Sequence, residues 1–222
     1  MSMRREYIYH GFERFWHWAQ ALLIIMLGVT GFEIHGSIHF FGFRQAVELH
    51  NVLAFAFLGL IVFAIFWHLT TGAWKHYIPT LENLRAYIDY YIAGIFRGAP
   101  HPVRKHDLSK LNPLQRLVYV GFKVLGFPVM MITGLLYMFY RYPQRYEVIS
   151  LNMDNLNIIG ALHTFGAYAL AAFLIAHVYL ITTGAKVTSN LKAMITGYED
   201  VEEEPEQQGD EAMPHIKVRI YK

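Results

Sequence analysis

Four apolar stretches of about 20 residues or more dominate this chain, near residues 12–33, 46–72, 115–140 and 157–184, and that length is what a helix needs to cross a hydrocarbon layer of ~30 Å. In lipid every backbone N–H and C=O must be satisfied within the segment, so each run is predicted to be a spanning helix. The composition agrees. Of 222 residues, 55% are hydrophobic and only 16% charged, too apolar a balance for an ordinary soluble domain. The fold class is therefore an all-α integral membrane protein. Residues 1–198 are read as a four-transmembrane-helix bundle, and residues 199–222 as an acidic, flexible tail.

Basic residues orient the bundle. Arg4, Arg5 and Arg14 stand at the start of the first span, Lys75, Arg85, Arg97, Arg104, Lys105 and Lys110 in the long 73–114 connection, and Lys186 and Lys192 after the last span. The two short connections carry only Arg44, and Arg141 with Arg145. By the positive-inside rule both termini and the long connection are cytoplasmic. No small-residue cleavage site follows the first apolar run, which reads as a retained anchor. In residues 80–96, Leu81, Leu84, Tyr87, Ile88, Tyr91, Ile92 and Ile95 form one helical stripe opposite Glu82, Asn83, Arg85 and Asp89. This segment fits a helix in the inner membrane interface or one packed beneath the bundle. The run Glu199 to Glu206 is acidic and broken by Pro205, which suits an extension without a core of its own. No internal sequence repeat is evident.

The net charge of +2 gives no indication of nucleic acid as a partner, and cysteine is absent. Thiolate-bound iron–sulfur clusters, covalently attached haem, disulfides and zinc-thiolate sites are thereby excluded from this chain.

Histidines are what the apolar spans have least reason to hold, and ionisable groups inside a membrane are candidate functional residues. His163 and His177 lie fourteen positions apart on the fourth span, ~21 Å along a helix axis and only ~40° apart around it. Both face the same neighbours, one near each membrane surface. The other spans supply matching levels. His17 lies ~8 Å from the inner end of the first span and His177 ~10 Å from the inner end of the fourth, while His50 and His163 lie ~6 Å and ~9 Å from the outer ends of theirs. Two level pairs result, His17 with His177 inside and His50 with His163 outside. Paired imidazoles in a bundle core are what two stacked, non-covalent b haems require as axial iron ligands. Such iron has no open position, which suits one-electron transfer.

His68 lies eighteen residues from His50 on the same face, ~27 Å further along, and so can also approach the inner level. It ranks behind His17, because Thr70, Thr71, Gly72 and Trp74 after it mark the membrane interface. A haem propionate or quinone contact suits it better. His10, His35, His39, His76, His101, His106 and His215 fall in loops or termini. Gly28, Gly31, Gly134, Gly160 and Gly166 admit either flat macrocycles or close helix packing.

At these residues the chain resembles the di-haem b-type cytochrome subunits of membrane-bound nickel–iron hydrogenases, formate dehydrogenases and thiosulfate reductases. Arg14-Phe15-Trp16-His17-Trp18 through Thr30-Gly31 resembles one hydrogenase-cytochrome signature, departing at Ala19 and Leu23. Ala161-Leu162-His163 through Tyr168, Leu170, Phe173 and His177 resembles a second, departing at Gly160, Thr164 and Tyr168. Asn112-Pro113-Leu114-Gln115-Arg116, Pro128 and Thr133-Gly134 are closer to the thiosulfate-reductase and formate-dehydrogenase branch. The resemblance covers residues 10–186. It implies a membrane-anchoring cytochrome b subunit of a respiratory oxidoreductase in a bacterial or archaeal cytoplasmic membrane. Electrons then pass between the quinone pool, menaquinone or ubiquinone, and partner subunits bearing iron–sulfur clusters, c-type haems or a metal active site. It also implies a quinone near the inner haem, beside His17, His177 and Asn112, with Lys186 as a further contact. A neutral amide such as Asn112 can bond a quinone carbonyl, but an Asn-Pro helix start equally suits capping.

Two rivals use the same residues differently. A stand-alone di-haem cytochrome, superoxide- or quinone-linked, needs the four histidines without an enzyme partner, whereas a transporter or structural anchor needs no haem.

Overall fold

The computed structural model describes residues 3–99, 111–141, 153–184 and 186–202. Arg104, Lys105, Lys110, Arg145, His101, His106, His215 and the tail beyond Glu202 lie outside the described residues. Among the described residues four helices are long and apolar enough to cross a membrane, Gly11–Ile34, Phe43–Thr71, Pro113–Tyr140 and Leu156–Ile181. The first two are α1 (Gly11–Ile34) and α2 (Phe43–Thr71). A short amphipathic α3 (Leu84–Asp89) follows. The third span joins α4 (Pro113–Gly121) to α5 (Phe127–Arg141), the fourth is α6 (Met153–Ile181), and α7 (Ser189–Thr196) follows it. Large apolar side chains point outward, with Leu22 63%, Phe165 73% and Ile175 72% exposed, as a bundle bathed in lipid rather than water requires.

Local chemistry sets each boundary. The Glu13 carboxylate accepts the backbone N–H of His10 at 2.8 Å at the start of α1. At its other end the buried Glu33 accepts three N–H groups through one oxygen, from Phe40 at 3.0 Å, Phe41 at 2.7 Å and Gly42 at 2.6 Å. One carboxylate thereby satisfies donors at the opening of α2, where the helix dipole also favours negative charge. Gly72, with φ +73°, ends α2 in the left-handed conformation that glycine adopts without strain. Between α4 and α5, residues Phe122–Gly126 widen into a π-helical turn in which the Phe127 N–H reaches the Phe122 carbonyl. Pro128 explains it. Its ring lacks an N–H and collides with the carbonyl four residues earlier, and a wider turn relieves that collision.

The interfacial segment differs from its sequence expectation. Asn83 adopts a left-handed conformation at φ 54°, so the helix starts at Leu84 rather than Thr80 and continues through a π-helical turn at Tyr90–Gly94. The stripe also divides. Tyr87 is buried and Tyr91 is bonded to Asn112, while Leu81, Ile88 and Ile92 are exposed.

A two-stranded antiparallel ribbon, which the hydropathy pattern did not predict, pairs β1 (Met3–Tyr7) with β2 (Tyr198–Glu202). Arg5 stands opposite Asp200 and lies over the Tyr198 ring, 4.7 Å from its centre. The start of the stretch read as tail from the sequence therefore includes a strand. The ribbon also holds the entry to α1 and the exit from α6 at one end of the bundle.

Close backbone packing is concentrated within two hairpins, α1 with α2 and α5 with α6, and α1 meets α6 at only a few positions. Between the hairpins the approach is made by side chains. The paired histidines are among them.

Candidate haem-binding site

The side chains of His17 and His177 meet with ring centres 6.2 Å apart, and those of His50 and His163 with centres 6.3 Å apart. A metal–imidazole bond of ~2.0 Å, with the ring centre ~1.1 Å behind the nitrogen, sets two imidazoles on opposite sides of one metal ~6.2 Å apart between centres. Both pairs therefore have the spacing of axial ligands to one metal each. Among the described residues no cluster of three or more His, Cys, Asp or Glu side chains is poised around an ion. His17 with His177, and His50 with His163, are the residues that would hold a b haem at each level.

The hydrogen bonds behind the outer pair fix which nitrogen is presented. Thr30 donates its hydroxyl proton to the Met26 carbonyl at 2.8 Å, so at 2.9 Å from His50 Nδ1 its oxygen accepts the imidazole N–H. Thr133 repeats the arrangement, donating to the Val129 carbonyl at 2.6 Å and accepting from His163 Nδ1 at 3.0 Å. Each imidazole then keeps its Nε2 lone pair for a metal, the tautomer that such a partner selects. The threonines are buried, Thr30 at 0% and Thr133 at 5% exposure. Each is followed by a glycine. A Cβ on Gly31 would stand 3.5 Å from the His50 Cε1, and one on Gly134 only 3.1 Å from the His163 Cε1. Thr-Gly on α1 receives the histidine of α2, and Thr-Gly on α5 receives that of α6, a structural repeat of two hairpins that sequence comparison of the halves did not reveal.

The inner pair is framed by rings. His17 lies edge-on to Trp18 at 5.1 Å, and His177 is flanked by Phe173 at 5.7 Å and Tyr119 at 6.5 Å. Arg14 and Trp18 also reach away from the pair, donating to the Ile195 carbonyl at 2.6 Å and the Met194 carbonyl at 3.2 Å, which ties α7 to α1. His68 stands apart. Its Nδ1–H donates to the Ala64 carbonyl at 2.6 Å, and its ring contacts Trp16 and Tyr77 at 5.5 and 5.4 Å. Burial, with the Glu13 charge adding to it, pushes the Tyr77 phenol far above its ordinary range, so this ring stays neutral. Beside it an open groove of about 290 Å³, lined by His10, Glu13, Trp67, Thr71 and His76, opens at this end of α2.

Asn112 is engaged in capping. Its Oδ1 accepts from Gln115 N at 2.8 Å, the Gln115 side chain accepts the Asn112 N–H at 3.0 Å, and Asn112 Nδ2 donates to the Tyr91 hydroxyl at 3.1 Å. Pro113 follows at the first helical position, where its missing N–H costs nothing. Lys186 is exposed in the turn before α7, with its backbone N–H donated to the Ser189 hydroxyl at 3.0 Å. The sequence reading missed Thr30 and Thr133 as partners of histidines, although both Thr-Gly dipeptides were visible. It also missed Lys123, whose signal was plain: a lysine ten residues inside the third span.

A membrane-spanning helical bundle that offers opposed imidazoles at two levels defines a class, the b-type cytochromes that move electrons within membranes. Residues 8–197 match the family model of the prokaryotic cytochrome b561, and the chain belongs to that family. It is 30% identical over 199 residues to a protein of Escherichia coli (strain K12) named as the cytochrome YdhU, covering 86% of this chain and 74% of the relative. Similarity extends to a protein of Rhodobacter capsulatus named as a Ni/Fe-hydrogenase B-type cytochrome subunit, at 27% identity over 228 residues, covering 89% of this chain and 83% of that one. A protein of Azospira oryzae named as the protein-methionine-sulfoxide reductase subunit YedZ1 is 26% identical over 196 residues, with 82% and 92% covered. The chain is accordingly a cytochrome b561-type electron-transfer membrane protein that binds haem b.

Proposed function

We propose that this cytochrome is the membrane-anchoring subunit of a respiratory oxidoreductase complex, carrying electrons through two b haems between a partner redox subunit and the quinone pool. The observation that carries the reading is the pair of opposed imidazoles at each of two levels, 6.2 and 6.3 Å between ring centres. His17 and His177 would hold the inner haem, His50 and His163 the outer. The haem, when bound, supplies a one-electron couple. The protein's part is position and potential: α6 sets the two levels, and Thr30 and Thr133 hold the outer imidazoles with Nε2 presented. Two of the relatives carry names of subunits of larger enzymes, which supports a partner bearing its own redox centres.

A pyridine haemochromogen assay on the purified chain should give two b haems per polypeptide, and the purified assembly should include a redox subunit. One haem or none would defeat the stoichiometry, and a complete, quinone-active cytochrome isolated alone would favour the stand-alone reading.

The basic residues support a cytoplasmic location for both termini, in a bacterial or archaeal cytoplasmic membrane. Cysteines placed at Ser2 and Gln208 should resist impermeant labels in intact cells while one at Gln144 reacts, and the reverse pattern would invert the orientation.

Quinone exchange belongs on the inner side in this reading. There Glu13, His10 and His76 line a groove from which protons can be supplied, and His68 lies close by. Asn112 is retained mainly as a cap. In Asn112→Leu, helix capping should weaken by about 1 kcal/mol, read as a lower melting temperature, while quinone-dependent haem reduction keeps its wild-type rate and inhibitor sensitivity. A loss of that rate with haem content intact would return Asn112 to the quinone site.

A further inference from the structure

Lys123 stands on the π-helical turn of the third span, ten residues beyond Pro113 and so ~15 Å along the helix from its start. Side chains on a helix lean toward its N-terminus, and a lysine stem can run along apolar surface to bring its charge nearer water. The Lys123 Nζ ends in an aromatic corner, 3.2 Å from the centre of the Tyr77 ring and 5.0 Å from that of Trp16. His68 closes the corner, touching both rings. The ion pairs of the described residues, Arg4–Glu6, Arg44–Glu48 and Arg85–Asp89, do not involve Lys123. Ring faces attract a cation but do not neutralise it, and a charge within a span is ordinarily paired.

The corner adjoins the inner histidine pair on two sides. Trp16 directly precedes His17, and Tyr119, one helical turn before Lys123, lies 6.5 Å from the His177 ring. We propose that Lys123 is the anchor for a carboxylate of the inner haem, held between the rings of Trp16 and Tyr77 beside His68. This rests on the two-haem reading above. A b haem carries two propionate carboxylates at its edge, and charge complementarity selects them over a quinone, whose ring is neutral. An ammonium–carboxylate contact in this poorly hydrated corner is a charge-assisted bond, stronger than its neutral counterpart. The cation also favours the reduced haem at this level. The bonds behind the outer imidazoles run to threonine hydroxyls, and Lys123 lies at the inner level, so its charge would act mainly on the inner haem.

The test uses the whole chain, produced in haem-deficient cells and reconstituted with haem or with haem dimethyl ester, whose carboxylates are blocked. Wild-type protein should prefer the free acid at the inner site by roughly tenfold, the equilibrium worth of one charged hydrogen bond. Lys123→Met should abolish the preference and shift the inner midpoint potential downward while leaving the outer one in place; Lys123→Arg should preserve both. A preference and potentials unchanged in Lys123→Met would overturn the assignment. If, in addition, binding of a quinone-site inhibitor were lost, the lysine would belong to the quinone instead. A wild-type chain that takes up fewer than two haems would defeat the two-haem reading itself, a result distinct from failure of the lysine variants.

Discussion

Replacement of His17 or His177 by alanine is expected to leave one haem in place, the outer, and replacement of His50 or His163 to leave only the inner. In the two-haem reading each pair, with ring centres 6.2 and 6.3 Å apart, would present two nitrogens to one metal. Removing one opens a coordination position and deletes half of the protein's hold on that iron, but leaves the other level, ~21 Å away along α6, untouched. His68→Ala should retain both haems, because His68 faces Trp16, Trp67 and Tyr77 and bonds the Ala64 carbonyl. Haem content with low-temperature reduced-minus-oxidised spectra reads all five variants. Loss of a haem from His68→Ala, with retention in His17→Ala, would reverse the assignment of the inner ligand.

The second large effect is expected from two residues that touch no metal. Thr133→Val keeps the shape of the side chain and removes the oxygen that accepts the His163 N–H at 3.0 Å; Thr30→Val does the same for His50 at 2.9 Å. A buried imidazole N–H left without an acceptor costs about 1–3 kcal/mol, and loss of such a supporting bond typically lowers metal affinity about 10–100-fold. Each valine variant should therefore release the outer haem during purification, or hold it at a higher midpoint potential, because the imidazole becomes a poorer electron donor. The inner haem should keep its potential, and Thr133→Ser, which restores a hydroxyl, should recover most of the loss. Equal disturbance of both haems would show general unfolding of the bundle instead.

The legible and illegible parts of this molecule divide along physical lines. The four spans were readable because a long apolar run in lipid has only one way to satisfy its backbone, and the helices run close to the expected limits. Histidine levels were readable because rise per residue is constant along a helix. The bond from His50 to Thr30 was not, since the relative rotation of α1 and α2 depends on packing that periodicity does not encode. Lys123 was hidden for a related reason: its position in the span was plain, but the π-helical turn that redirects it depends on Pro128, five residues on. The ribbon of β1 with β2 joins strands nearly the whole chain apart, where only the opposed charges of Arg5 and Asp200 hint at pairing. Asn83 shifted the start of α3 because a single left-handed residue outweighs an otherwise regular stripe.

Helix α6 contributes one histidine to each pair, and among the four described spans it comes last in sequence. During translation, then, a chain that has inserted α1, α2 and the third span carries His17 and His50 but has no completed imidazole pair at either level. Both pairs come into existence together, when α6 inserts and its exit segment can join β1. In the two-haem reading, cofactor loading would thereby be coupled to insertion of α6: a chain truncated before it would be an apoprotein at both levels, and ribosome-bound intermediates would present no half-loaded cytochrome to the membrane.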